Sequence, residues 1–149
     1  MSDERKRVRT RHAELSLEEI AESLPGTGEV MASVAAAWWT CAHAARGGNW
    51  ELAAYCARRV RGLLGGLAVT RPKYRDDLAT FVDSQLAATL AACARADRDA
   101  FERAFAATTD RANEMHVKWG KSYIRWVLPD EPPSDLYLGP IKPSTSSQP

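Results

Sequence analysis

Between Trp50 and Leu67, side chains suited to burial recur at steps of three and four: Trp50, Ala53, Ala57, Val60, Leu64 and Leu67. The same rhythm returns in Phe101, Phe105, Thr108, Ala112, Met115 and Trp119. At about 100° per residue, such steps keep these positions on one stripe of an α-helix, and that stripe has to be covered by other helices. Two further segments fit the pattern. The Ala-rich run from Val30 to about Arg46 stops at Gly47-Gly48-Asn49. Thr70-Arg71-Pro72 opens the next, whose inner stripe is Leu78, Val82, Leu86, Leu90 and Cys93, flanked by Phe81. Gly65-Gly66 is expected to fray the helix that starts at Trp50. Asp97 or Asp99 is placed to cap the last helix.

No stretch alternates with a period of two, so strands are not expected. Four helices on short connections predict an all-α chain, an antiparallel up-down four-helix bundle over residues 27–128. Two αα-hairpins, each with an aromatic start to its second helix at Trp50 or Phe101, would make it up. Residues 1–26 form an arm, with a short helix opened by the capping box Ser16-Leu17-Glu18-Glu19 and closed before Pro25. The next helix is expected to be capped near Thr27 or Gly28. Residues 129–149 form a Pro-rich tail, disordered after about Pro140, while Tyr123 to Leu128 is apolar enough to fold back.

A chain of 149 residues is expected to bury one core. Its 20 basic and 19 acidic residues give no chain-wide field for nucleic acid or an anionic membrane, and neither is expected as a partner. The cluster Arg5, Lys6, Arg7, Arg9 and Arg11 reads as a solvated terminal arm. Without an apolar leader segment or a spanning run, the expected location is the cytoplasm. Cys41, Cys56 and Cys93 are widely spaced and embedded in apolar patterns, as reduced core thiols would be. A homodimer is left open.

His116 is the residue most suited to chemistry. It falls roughly 60° from the centre of its helix's buried stripe, at an edge from which a side chain can face a cleft. An ordinary boundary histidine would sit there too. An aromatic segment holding Trp119, Tyr123 and Trp126 follows it.

The Asn49-Trp50 helix start, the four-helix layout and the ending Phe101…Phe105…Thr108…Ala112-Asn113-Glu114-Met115-His116 resemble small c-type cytochromes of the cytochrome c′-like kind. The resemblance spans about Trp38 to Leu136. In that family the final helix carries C-x-x-C-H, whose cysteines hold haem and whose His ligates iron. His116 matches the ligand, while Ala112 and Met115 stand where the cysteines would be, so covalent haem is excluded. The resemblance implies a chain that binds a small, flat ligand near His116, with noncovalent haem b the best single candidate and His116 its metal ligand. Trp38, Trp39, Met115, Trp119, Tyr123 and Arg125 are the expected pocket residues. Two alternatives stand beside this reading. One is a haem-free enzyme acting on a small molecule, with His116 or His43 as acid or base. The other is an interaction module that docks a partner through its aromatic surface or its Pro-rich tail.

Overall fold

A computed structural model describes residues 6–142 and shows a mostly helical chain with one small β-hairpin. Arg5 of the basic cluster and the tail from Pro143 onward lie outside the described residues.

The hairpin corrects the expectation of no strands. β1 (Arg7–Arg9) pairs antiparallel with β2 (Glu14–Ser16) in the register Arg7↔Ser16, Val8↔Leu15, Arg9↔Glu14. Strands of three residues are too short to show a period. Here the turn makes the hairpin: the Thr10 hydroxyl accepts from the Ala13 N–H at 3.0 Å, and the Thr10 N–H donates to the Ala13 carbonyl at 2.7 Å. The basic arm is therefore partly ordered, with the Arg7 guanidinium donating to the Glu14 carbonyl at 2.7 Å.

Ser16 ends β2 and caps α1 (Leu17–Ser23). The capping box forms as the sequence suggested: Glu19 N–H donates to Ser16 Oγ at 3.1 Å and Ser16 N–H donates to Glu19 Oε2 at 2.7 Å. α2 (Thr27–Gly47) begins after Gly26, which caps it without a side chain, and ends at Gly48 with φ 90°. Asn49 then caps α3 (Trp50–Thr70), its Oδ1 accepting from the Leu52 N–H at 3.1 Å. α3 does not fray at Gly65-Gly66. Two glycines inside a helix cost about 2 kcal/mol. Leu64 and Leu67 on either side are 3% and 5% exposed, and burying each contributes about 1.5–3 kcal/mol, enough to carry the helix through.

Pro72–Tyr74 forms a 3₁₀ turn that leads into α4 (Arg75–Phe81), and a π-helical turn, Val82–Leu86, joins α4 to α5 (Ala87–Ala94). The wider turn has a partner on the neighbouring helix. Thr108 Oγ1 donates to the Gln85 carbonyl at 3.0 Å, and also lies 3.2 Å from Thr89 Oγ1. α6 (Arg98–Lys118) opens on Asp97, whose side chain accepts from the Ala100 N–H at 3.0 Å.

α2 and α3 share the most extensive contact, and α6 packs on α5 and on α2. Trp38 of α2 is 1% exposed, stacks on Phe105 of α6 at 4.4 Å and donates from Nε1 to Thr109 Oγ1 at 2.9 Å. Arg46, at the end of α2, pairs with Glu102, at the start of α6, at 2.8 and 2.9 Å. The two helices thus run in opposite directions. No helix among the described residues is long and apolar enough to cross a membrane.

The segment after Gly120 lies back over the helices. Asn113 holds the Trp126 backbone at both ends, Nδ2 donating to the carbonyl at 3.1 Å and Oδ1 accepting from the N–H at 2.7 Å. Further on, Asn49 Nδ2 donates to the Tyr137 carbonyl at 3.0 Å, and Leu138 and Pro140 press against Gly47 and Gly48.

These contacts set opposite expectations for two Gly→Ala changes. Gly48→Ala puts a Cβ on a left-handed residue beside Pro140 and should cost about 1–2 kcal/mol. Gly65→Ala meets nothing within 4 Å inside a helix and should add about 0.5–1 kcal/mol. Thermal melts of the two variants check both signs.

Candidate functional site

The start of α2, the end of α3, the start of α4 and the end of α6 surround a cavity of about 220 Å³. α2 contributes Met31, Val34 and Trp38, and α3 contributes Val60, Leu64 and Leu67. Leu78 and Phe81 of α4 and Ala112 of α6 complete a deep wall that is almost wholly apolar. The returning C-terminal segment supplies the remaining side through Ile124 and Trp126. Asn113 therefore bears on the cavity indirectly, because it holds Trp126 in place.

Two contacts draw the surrounding helix ends together. Tyr74 meets Trp119 edge to face at 4.6 Å, and Lys118 Nζ pairs with both Asp77 carboxylate oxygens at 2.8 and 2.9 Å. The Lys118 ammonium holds the Asp77 carboxyl below its ordinary range.

His116 lines the cavity, half-buried, with its ring edge-to-face to Trp126 at 5.8 Å. Its Nδ1 is buried and has no hydrogen-bond partner among the described residues. Burial is the main influence that pushes its pKa below the ordinary histidine value; a hydrogen bond between the ring and the Ile124 backbone opposes the shift and the Lys121 charge adds to it. A neutral imidazole in an apolar wall can accept or donate one hydrogen bond, ligate a metal or move a proton.

Of the other residues picked out from sequence, Trp38, Met115 and Trp119 also line this cavity. Trp39 does not: it stands behind the wall, edge-to-face to Trp126 at 5.3 Å. Tyr123 is 79% exposed, and Arg125 belongs to a separate shallow depression with Asp110 and Glu114. His43 lies apart as well, with its Nε2 3.0 Å from the Pro129 carbonyl, so the two candidate acid–base histidines do not share a site. Sequence reasoning did not place Tyr74, Lys121 or Ile124 here. Tyr74 sits on a turn and the other two beyond the last helix, where no period shows which way a side chain faces.

A lone imidazole is compatible with axial ligation of haem, but the room is not compatible with the macrocycle. A cavity of about 150 Å³ takes a benzene ring, so one of about 220 Å³ takes one ring with substituents or two fused rings, not a porphyrin. Among the described residues Lys121 is the one lysine or arginine on its lining, whereas haem brings two propionates. Among the described residues no cluster of three or more His, Cys, Asp or Glu side chains could hold a metal ion. Cys41, Cys56 and Cys93 are free and buried; a hydrogen bond with Cys93, and then burial, pushes the Cys41 thiol far up, which keeps it unreactive.

Because the His116 pKa is lower in the folded chain than in the unfolded one, its contribution to stability is present above the unfolded value and is lost as pH falls through the folded one. The melting temperature should therefore drop as pH falls through and below the ordinary histidine value, and drop less in His116→Gln. Equal slopes in the two proteins would contradict the burial of this ring. Comparison with known protein families, with curated proteins and with solved structures finds no match for this chain.

Proposed function

We propose that the chain is an antiparallel up-down four-helix bundle of the cytochrome c′-like kind that has given up covalent haem and binds a compact, largely apolar molecule in the cavity beside His116. The antiparallel reading is supported by the run of contacts between α2 and α6, from Arg46 with Glu102, through Trp38 with Thr109, to Met31 and Met115 on one cavity. The ligand reading is carried by one observation: an apolar cavity of about 220 Å³ whose described lining residues include two ring nitrogens without a hydrogen-bond partner among the described residues, His116 Nδ1 and Trp119 Nε1. Partly open clefts with apolar and aromatic walls are where small molecules bind.

Noncovalent haem b on His116 is the second reading, favoured by the place of the His116 ring on the cavity lining. It needs Trp126 and the segment around it to leave the helices first, since the cavity as it stands is too small.

Ala112 is 8% exposed and lines the cavity, so Ala112→Leu fills it from α6. Indole should raise the melting temperature of the unaltered protein, by up to about 2.7 kcal/mol of stabilisation at a hundredfold excess over Kd. The filled variant should show no such rise while still folding. With added haemin, no His116-dependent Soret band is expected. A band lost in His116→Ala would favour the second reading, and the absence of both responses would defeat the proposal.

A further inference from the structure

We infer that the ligand of this cavity is a small amphipathic acid, whose ring or short hydrocarbon chain fills the apolar cleft and whose carboxylate sits at the mouth beside the Lys121 ammonium. The inference rests on the cavity reading above and names its ligand class. The depth of the cleft offers nothing to a polar group. Val34, Leu64, Leu78 and Phe81 are hydrocarbon, and His116 Nδ1 and Trp119 Nε1 are buried behind the surface. The His116 ring is moreover already hydrogen-bonded to the Ile124 backbone. A polar atom placed there would lose its water and gain no partner, so the polar end of a ligand belongs at the open side. Thr27, Gly28 and Lys121 mark that side, since they keep solvent exposure while Val34, Leu64 and Phe81 keep almost none.

Charge selects the head group. Among the described residues the lining holds Lys121 and no aspartate or glutamate. Lys121 is half-buried, acts on the His116 ring through its charge, and has no carboxylate partner among the described residues. Lys118, one turn earlier, is already taken by Asp77. A lysine stem lying on an apolar wall carries its ammonium to the water at the rim. Arg71 brings a second cation to this end: its Nε donates at 3.2 Å to Oγ1 of Thr27, and it too lacks a carboxylate partner among the described residues. Glu29, on the same turn of α2 as Thr27, holds its carboxylate against Gly26 and is not on the lining. One carboxylate answers one ammonium by a charge-assisted hydrogen bond, and at a rim it keeps part of its hydration. Volume sets the remaining limit: about 220 Å³ admits a single ring or a short chain as the apolar body.

The pair 3-phenylpropionate and 3-phenylpropanol shares a ring and chain and differs in the head group. Both are titrated by NMR into the full chain and into Lys121→Met, which keeps the apolar stem. The hydrogen bonds of Lys121, to the His116 carbonyl at 2.7 Å and from the Ile124 N–H at 2.9 Å, are made by its backbone, so the variant should fold. The preference for the acid over the alcohol should fall about three- to fivefold in the variant, the size expected for one partly exposed ion pair. In the unaltered protein the pKa of His116, followed by NMR, should be higher in the acid complex than in the alcohol complex, because the carboxylate offsets the Lys121 charge. That second readout decides the matter if Lys121→Met does not fold. A preference unchanged by the substitution, or a His116 pKa equal in the two complexes, overturns the inference while binding of the alcohol leaves the cavity reading intact. Failure of both compounds to bind a chain that still binds indole overturns the inference alone; failure of all three overturns the two together.

Discussion

Trp38 lies between α2 and α6, 1% exposed, with its ring flat on Phe105 at 4.4 Å and its N–H on Thr109 at 2.9 Å. A tryptophan stacked and hydrogen-bonded in this way acts as a spacer of fixed thickness, because its bulk and its polar atom are both satisfied in one orientation. On one side of it the two helices meet closely, through Arg46 and Glu102. On the other side α6 presents Ala112, a small residue, toward Val34 and Leu64, and the gap is not filled. The cavity follows from that contrast between a large residue and a small one on the same pair of helices.

The C-terminal segment gives the gap its remaining wall. Gly120, at φ 72°, reverses the chain after α6. The Asn113 amide then offers one donor and one acceptor to the Trp126 backbone, much as a strand partner would. Trp126 bridges two tasks, packing on Trp39 outside and on His116 at the cavity. His43, which sequence alone offers as a chemical group, serves instead against the Pro129 carbonyl of the same segment. Of these two histidines, His116 lines the cavity and His43 does not.

The helical rhythm was legible because it has a strong physical cause. Ala53, Ala57, Val60, Leu64 and Leu67 are all buried, as are Phe101, Phe105, Thr108 and Ala112. His116 falls at the edge of its stripe, as its angle requires, and Trp38, Met115 and Trp119 line the same cavity. What periodicity cannot convey are contacts made outside a helix or across helices. The hairpin depends on the Thr10 turn, and the π turn has its Gln85 carbonyl taken by Thr108 from another helix. Nearness in sequence groups Tyr123 and Arg125 with the site, yet neither lines the cavity, and Tyr123 is exposed. The survival of α3 through Gly65-Gly66 is likewise a matter of tertiary burial overriding local preference.

Whether the space beside His116 is open to an apolar guest is tested most directly by diffraction from a xenon-pressurised crystal, since xenon enters dry apolar cavities without needing a hydrogen bond. The account predicts a xenon site among Met31, Leu64, Ala112 and Met115, with Trp126 in place. A structure in which those side chains close on one another and leave no xenon density there would contradict it.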